Sequence, residues 1–389
     1  MPGATNGVKT AISAAARAHE HEITDLSLRI HAHPELGHQE HRAVAWCREV
    51  LERHGFECAG VPGVETAFVA TRRGAGDGPT IGFLAEYDAL PGVDHGCGHN
   101  LIAGSAVGAG VYLARAMADL PGAVKVYGCP AEELGSGKPL MLAAGAFDGL
   151  DAALTFHAFH STALMEQCTG VRMYEFEFAG RTAHAAADQH TGASALDGVL
   201  LTYNNLNALR QFVQDGVRIH GIVSDGGQAV NVIPERAACT LGIRSADLAE
   251  LARVCARVIE CARAGALASG TTLTVHDGLV LDPVRYNPPL GDALAANLRA
   301  LGEPVTTWRS MASTDFGNVS QVVPSVLFSV ATWPAEVNFH TREAAVCAAR
   351  PQALRAMHTA AVAMAQTAAD LLTHPGLLAR IRGHHDRPA

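Results

Sequence analysis

The sequence predicts an α/β protein with a mixed, mostly parallel sheet, into which an α+β ferredoxin-like domain is inserted. Three observations predict this fold class. The 389 residues exceed what one hydrophobic core usually organises, and they fit two domains. In the first part of the chain, short apolar runs alternate with helical patterns, as they do in parallel sheets covered by helices. After Gly170 the pattern changes to strands of alternating polarity, which is typical of an antiparallel sheet.

Apolar periodicity defines the elements of the first part. The predicted helices cover residues 8–31, 40–54 and 100–120, and the predicted strands cover residues 64–71, 80–85, 123–129 and 152–157. Gly55 closes the second helix, because glycine readily adopts the left-handed conformation that ends helices. The run over residues 80–85 is apolar along its length, so we expect it inside the sheet rather than at an edge.

The second part begins with residues 171–178 (VRMYEFEF), which alternate as a half-buried antiparallel strand does. The next predicted elements are a helix over residues 193–214, strands over 220–224 and 237–245, a helix over 247–266 and a strand over 271–277. This strand-helix-strand-strand-helix-strand order is that of a ferredoxin-like unit. We therefore expect a domain over residues 170–282, inserted into a larger domain formed by residues 1–169 and 283–389.

Beyond the inserted domain the α/β pattern resumes. Asn287-Pro288-Pro289 is interpreted as a turn that returns the chain to the larger domain. A strand is predicted over residues 326–330, and an alanine-rich helix over residues 351–372.

Composition argues against several classes of partner and location. The formal net charge of −9 argues against nucleic acid, because phosphate binding needs clustered Lys and Arg. The nine cysteines are odd in number and irregularly spaced, so we expect no disulfide framework. The N-terminal MPGATNGVKT lacks the charged segment and apolar core of a signal peptide, and the uncharged stretch over residues 101–114 is too short to span a membrane. We therefore expect a cytoplasmic protein without a membrane partner.

Cys97-Gly98-His99 is the first candidate for a metal site. A thiol and an imidazole lie two residues apart, shortly after the apolar run over residues 80–85 and beside acidic residues. Zinc binds Cys sulfur and His nitrogen, so these ligand types suit zinc or a similar borderline metal. Alone the triplet is a weak signal, because Cys-x-His pairs also occur by chance.

Further candidate ligands follow the ends of predicted strands, where open α/β sheets place their sites. The full candidate set is Cys97, His99, Glu133, His157 and His340. These are more donors than one tetrahedral ion needs, so two neighbouring ions are expected. Glu132 is a spare carboxylate that can take a proton from water. Taken singly, the glutamate pair could be a solvated helix start and each histidine a core or surface residue.

Seven segments carry a resemblance to a known family. They are HPELG at 33–37, AEYDALPG at 85–92, HGCGHNLIAG at 95–104, PAEE at 130–133, FAGRTAHAA at 178–186, NVIPE at 231–235 and STDFGNVSQVVPS at 313–325. In this order, over nearly the whole chain, they resemble the M20 family of metallopeptidases and amidohydrolases. The similarity is greatest to the aminoacylase-like members with a Cys-Gly-His ligand motif, in the branch of aminobenzoyl-glutamate hydrolases and related dipeptidases.

The resemblance implies roles at the metal centre. It implies two divalent ions, zinc or manganese with cobalt possible, ligated by Cys97, His99, Glu133, His157 and His340. Glu132 would be the general base. Asp88 would support the metal ligands from behind. For Asp315, support near the metals and capping of a helix are both open.

The resemblance also implies that the inserted domain is a lid through which the protein forms a homodimer. His184 would reach into the partner subunit's site and stabilise the oxyanion. Asn231 and Arg244 would hold the free carboxylate of the substrate, for which the planar guanidinium is well suited. The alternatives are a surface ion pair for Arg244 and a turn cap for Asn231.

The expected function is a metal-dependent hydrolase that cleaves the amide bond of an N-acyl amino acid or a small dipeptide. Two alternatives stay open. The same site could act on another C–N bond, such as that of an aromatic amine or an amidine. The protein could also be a non-catalytic metal-binding scaffold, although a site that only binds metal would not need the spare carboxylate of Glu132.

Overall fold

The computed structural model describes residues 2–387, with side chains described over residues 7–387. Its strands are β1 Glu57–Val61, β2 Val64–Arg73, β3 Thr80–Glu86, β4 Ala123–Cys129, β5 Ala152–Phe159, β6 Ala163–Gln167, β7 Gly170–Ala179, β8 Arg218–Asp225, β9 Arg236–Ser245, β10 Thr272–Leu281, β11 Thr306–Arg309 and β12 Ser325–Ala331. Its helices are α1 Pro2–Ala32, α2 His41–Arg53, α3 His99–Ala114, α4 Gly137–Ala143, α5 Ala195–Leu209, α6 Leu248–Ser269, α7 Pro288–Ala300, α8 Phe316–Val322, α9 Arg342–Cys347, α10 Pro351–Thr373 and α11 Pro375–His385.

The chain divides into two compact units. The first contains the described residues up to Gln167, Val284–Ser310 and the residues from Asp315 onward. The second contains Cys168–Pro283 and Met311–Thr314.

An eight-stranded sheet organises the first unit, in the order β1-β2-β4-β3-β5-β12-β6-β11. Its central strands β4, β3, β5 and β12 run parallel, whereas β1 and β2 form an antiparallel pair at one end and β6 runs against β12. The run over residues 80–85 forms most of β3, which lies between β4 and β5 as its apolar sequence requires. The predicted α/β class with a mixed, mostly parallel sheet is confirmed.

Helix α3 is the central helix of this unit. Each of its sixteen residues is buried, and it packs against β3 and β5 as well as against α1 and α10. A helix that is apolar all round belongs in such a position. Small residues allow the close approach: a Cβ at Gly110 would lie 2.8 Å from Val126 Cγ2 on β4. The predicted helix over residues 100–120 is interrupted, because the chain tightens into a 3₁₀ turn at Ala116–Asp119.

The sequence interpretation of Asn287-Pro288-Pro289 as a turn is wrong. Asn287 caps α7 by accepting a hydrogen bond from the Leu290 amide, and the two prolines occupy the first helical turn. Proline is well tolerated there, because the amide hydrogen that it lacks would have no partner within the helix. The other elements absent from the prediction are mostly short, such as β11 with four residues and α9 with six.

The second unit is an α+β unit with an antiparallel sheet in the order β10-β7-β9-β8. Its elements follow the β-α-β-β-α-β order, so the predicted ferredoxin-like pattern is confirmed. Helices α5 and α6 pack against each other and against the sheet, around Phe176, Phe178 and Leu241. Helix α5 is shorter than predicted, because Ser194 caps it by accepting from the Asp197 amide and a 3₁₀ turn follows Leu209.

Two further observations concern the described part of the chain. Within residues 2–387, we find no helix that is both long enough and apolar enough to cross a membrane. All nine cysteines lie in this range as free thiols.

The central position of α3 gives a stability prediction. We expect Leu113→Ala to lower the free energy of unfolding by about 2–5 kcal/mol, because it leaves a cavity where a side chain is fully buried. The control is Leu301→Ala in the same unit, where the side chain is 37% exposed and the loss should stay below about 1 kcal/mol. Urea unfolding followed by circular dichroism measures both. Equal losses would contradict the central position of α3.

Candidate metal centre

The candidate ligands lie around the carboxyl ends of the four central parallel strands. The chain leaves β3 at Glu86 and reaches Cys97 and His99, and it leaves β4 at Cys129 and reaches the glutamate pair. His157 lies near the end of β5, and His340 follows β12. Parallel strands share one direction, so the segments that leave them meet at one edge of the sheet. The sheet topology therefore brings together residues that are up to 243 positions apart (97 to 340).

The Cys97-Gly98-His99 turn depends on its glycine. Gly98 precedes the first residue of α3 and has φ +81°, in the left-handed region that glycine adopts without strain. A Cβ at this position would also lie 2.9 Å from the Cβ of Ala158 on β5. This turn lets a buried thiol and a buried imidazole project from positions two residues apart.

Asp88 fixes the orientation of His99. The Nδ1–H of His99 donates to Asp88 Oδ1 at 2.9 Å and lies 3.0 Å from the Asp88 carbonyl oxygen. In the neutral imidazole this leaves the lone pair on Nε2, which is the form that binds a metal ion. The other oxygen of the carboxylate accepts from the backbone amide of Glu133 at 2.9 Å. Burial alone would raise the pKa of Asp88, but His99 and the Glu133 amide hold it below its ordinary value.

Two buried polar atoms of the cluster lack partners. Among the described residues, His99 Nε2 and Glu133 Oε1 have no hydrogen-bond partner, and they lie 3.8 Å apart. An orphaned imidazole nitrogen and an orphaned carboxylate oxygen are costly to bury unless something binds them. Both are donor atoms that zinc accepts, so a cation fits this position.

The remaining separations fit the same interpretation. Cys97 Sγ lies 3.5 Å from His157 Nε2, and His340 Nε2 lies 3.5 Å from Glu133 Oε2. Donor atoms bonded at about 2.0–2.3 Å to one tetrahedral ion are separated by roughly 3.3–3.8 Å. Donor atoms within 4.8 Å of one another form one group of Cys97, His99 and His157 and another of Cys97, Glu133 and His340.

His157 and His340 are also oriented by the backbone. The Nδ1–H of His157 donates to the Ala158 carbonyl at 2.8 Å, which leaves Nε2 facing Cys97 as a lone pair. Burial lowers the pKa of His157, and the neutral imidazole is the form that binds a metal. His340 has φ +59° and its amide donates to the Gly96 carbonyl at 3.0 Å, so a strained backbone is retained at this position.

Glu132 faces the same orphaned nitrogen. Its Oε2 lies 3.7 Å from His99 Nε2, and its side chain is 10% exposed. Burial, together with the carboxylates of Glu86 and Asp315, raises the pKa of Glu132 well above its ordinary value. A raised pKa strengthens the carboxylate as a proton acceptor.

A buried lysine beside this cluster was not identified from the sequence. Lys138 is fully buried; its ammonium donates to Glu86 Oε1 at 2.7 Å and to Asp315 Oδ1. The Lys138 amide donates to Asp315 Oδ2 at 2.9 Å, whereas Asp315 makes no side-chain cap to α8. Burial opposes the charge, but Asp315 and Glu86 raise the pKa of Lys138 above its ordinary value. Lysine is rarely buried, so no sequence pattern marks such a position.

His184, Asn231 and Arg244 lie in the second unit. The backbone of His184 pairs with that of Val232, and the Ala185 amide donates to the Asn231 carbonyl at 3.0 Å. His184 and Asn231 therefore lie on adjacent segments. The Nδ1 of His184 accepts from the amide of Ala186 at 3.2 Å, so its Nε2 carries the hydrogen.

Arg244 lies on β9 and has two polar neighbours. Its guanidinium donates to Ser313 Oγ at 2.7 Å and to His220 Nε2 at 3.3 Å. His220 was not identified from the sequence, since an exposed histidine on an alternating strand carries no distinguishing signal. Arg244 has no carboxylate partner among the described residues, in contrast to the surface ion pair considered above.

Comparison with known proteins identifies the class. The sequence matches the profile of Peptidase family M20/M25/M40 over residues 82–370. The protein is thus a hydrolase, and the chain belongs to the M20 peptidase family. The resemblance inferred from the seven segments is confirmed.

The relatives agree with the predicted branch. The Xaa-Arg dipeptidase of Mus musculus is 35% identical over 386 residues, which cover 92% of this chain and 87% of the relative. One of the subunits of the p-aminobenzoyl-glutamate hydrolase of Escherichia coli K12 is 32% identical over 322 residues, covering 77% of this chain and 66% of the relative. The crystal structure of a Bacillus subtilis protein, described as a dinuclear metal binding peptidase from the M20 family, has a TM-score of 0.68 at 22% identity. That match covers 90% of this chain and 98% of the other, and it supports the fold alone.

The turn at Gly98 gives a second stability prediction. We expect Gly98→Ala to destabilise the chelator-treated protein more than Gly92→Ala does. Both glycines have positive φ (+81° and +74°), which costs an alanine about 1–2 kcal/mol. At Gly98 the added Cβ would lie 2.9 Å from Ala158 Cβ and 3.4 Å from the Trp333 ring, and this crowding adds on the order of 1–3 kcal/mol. Near Gly92 nothing lies within 4 Å. Urea denaturation compares them, and equal losses would show that the turn is not packed against β5.

Proposed function

We propose that the protein is a metal-dependent hydrolase that cleaves the amide bond of an N-acyl amino acid or a small dipeptide. The observation that carries the proposal is the buried pair of orphaned donor atoms, His99 Nε2 and Glu133 Oε1, 3.8 Å apart. The ligands would be Cys97, His99, Glu133, His157 and His340, in the two groups that share Cys97. The thiol favours zinc, while the carboxylate and imidazoles also suit manganese or cobalt.

The chemistry combines the bound ions with the residues around them. Two divalent ions at these ligands would lower the pKa of water at the site towards about 7 and polarise the scissile carbonyl. Glu132 would take the proton from that water and return it to the leaving nitrogen. Asp88 would keep His99 in the tautomer that presents Nε2, since its carboxylate accepts the Nδ1–H at 2.9 Å.

The second unit would supply substrate recognition. We propose that Arg244 binds the free carboxylate of an amino acid, with Asn231 as a second donor. Support comes from the two partners of the Arg244 guanidinium, Ser313 and His220, which orient it. Neither partner is a carboxylate, so the positive charge stays available for a substrate carboxylate. His184 would donate its Nε2–H to the oxyanion that develops in the partner subunit's site.

We propose that this unit acts as the lid and that it also forms the homodimer. β8 is an edge strand of its sheet, and its Ile222 and Val223 side chains are 65% and 45% exposed. Exposed apolar side chains on an unpaired strand edge are a liability unless another chain covers them. A second copy, pairing edge to edge, would cover them.

The relatives and Arg244 support this substrate class. The relatives named above are a dipeptidase and an aminobenzoyl-glutamate hydrolase. Their substrates, as named, are both amides of an amino acid. A basic side chain that binds a carboxylate suits that whole class.

Glu132→Gln tests the mechanism. We expect kcat to fall by about 10²–10⁴-fold with metal content unchanged, because the amide keeps the shape of the side chain but cannot accept the proton. Elemental analysis and turnover of a panel of dipeptides and N-acyl amino acids measure the two effects. The exposed Glu49→Gln on α2 is the control and should turn over normally. Full activity of the chelated wild-type protein would refute the proposal.

Arg244→Ala tests the substrate class. We expect KM for substrates with a free carboxylate to rise by roughly ten- to a hundredfold, since a charged hydrogen bond is lost. Arg236→Ala is the control, because Arg236 lies on the same strand and pairs with Glu177. Carboxamide analogues of the substrates should be hydrolysed equally well by the variant and the wild type. A KM unchanged for free acids would instead favour a substrate without a carboxylate, such as an aromatic amine or an amidine.

A further inference from the structure

Two glutamate carboxylates, those of Glu86 and Glu132, lie equally close to the same nitrogen of His99. Glu86 Oε2 and Glu132 Oε2 each lie 3.7 Å from the orphaned Nε2 of His99. The three residues form a further group of donor atoms within 4.8 Å of one another. By distance alone, either carboxylate could bind an ion there or act as the base.

The two glutamates differ in what holds them. Glu86 Oε1 accepts from the Lys138 ammonium at 2.7 Å, and the Glu86 side chain is 3% exposed. The Glu132 side chain is 10% exposed, and no ammonium or guanidinium binds its carboxylate among the described residues. Glu86 is therefore paired with the Lys138 ammonium, whereas Glu132 has no such partner among the described residues.

Asp315 anchors the lysine. Its two carboxylate oxygens accept from the ammonium and from the backbone amide of Lys138, so one residue is bound at two points. The Lys138 and Asp315 side chains are both fully buried. Burying a lysine carries a desolvation penalty, which buried ion pairs often fail to offset. A stability role alone accounts poorly for such a group beside the metal ligands.

We propose that Lys138 is a positioning residue: anchored by Asp315, it pairs with Glu86 Oε1 and so keeps Glu86 from binding a metal ion or taking the proton, which leaves Glu132 as the sole general base. The inference rests on the proposed hydrolase function. Without the ammonium, Glu86 is a second uncommitted carboxylate next to His99. It would then bind an ion in place of the reacting water, or share the proton that Glu132 must take.

A double-mutant cycle tests this role, with the variants Glu86→Gln, Lys138→Met and the combination of both. Glu86→Gln should bind two metal equivalents per chain and lose less of its kcat than Lys138→Met does. Lys138→Met should keep its metal but lose about ten- to a hundredfold in kcat, as is typical when a partner of a metal-site residue is removed. The combined variant should recover most of that loss, because the competing carboxylate is gone. A purely structural lysine predicts no recovery.

A second readout does not depend on turnover. In the cobalt-substituted protein, the visible spectrum of the bound ion reports its ligands. Lys138→Met should change this spectrum, and addition of Glu86→Gln should restore it. Lys9→Met is the matched control, because Lys9 pairs with Asp370 at 2.7 Å in the helical layer of the same unit. It should leave both spectrum and kcat unchanged.

The outcomes separate this inference from the proposed function. Loss of metal in Glu86→Gln would overturn the inference, since Glu86 would then be a ligand. No recovery in the combined variant, by spectrum and by kcat, would also overturn it. If Lys138→Met does not fold, Asp315→Asn replaces it and should shift the spectrum in the same direction. If the wild-type protein binds metal but cleaves no substrate of the panel, the proposed function fails, while the cobalt spectra still decide whether Lys138 restrains Glu86.

Discussion

The Asp88 carboxylate joins two segments that are far apart in the chain. One oxygen accepts from His99 Nδ1 and the other from the backbone amide of Glu133, each at 2.9 Å. The loop after β3 and the loop after β4 are thus held in register by one buried group. The orientation of the His99 ring and the placement of the Glu132-Glu133 pair depend on this contact. Because the group is 1% exposed, water cannot substitute for either bond at low cost.

The parallel order of the central strands makes this contact possible. Four neighbouring strands end at one edge of the sheet, and the segments that follow them carry thiol, imidazole and carboxylate groups. The site concentrates charge in a buried place, with Glu86, Glu132, Glu133 and Asp88 around a single ammonium and the histidines. Such a concentration is unfavourable in a protein interior unless cations balance it. Divalent ions at the proposed ligands would offset this charge.

Much of the fold and the candidate residues of the first unit could be predicted from the sequence. The strand over residues 123–129 was predicted to the residue, because its apolar run is bounded by turn residues. Cys97 and His340 could be grouped because unusual ligand types follow strand ends. Lys138 could not, since burial of a lysine depends on tertiary partners that leave no local pattern. The start of α7 was missed because two prolines indicate a turn as readily as a helix start.

The second unit begins and ends on neighbouring strands of its own sheet. Val171 near the start of β7 pairs with Leu281 at the end of β10, so the main segment of this unit, Cys168–Pro283, begins and ends at almost the same place. A module with adjacent ends can be acquired in one genetic event without stretching the chain that receives it. The same property makes it exchangeable. Its replacement would leave the strand order of the first unit's sheet unchanged.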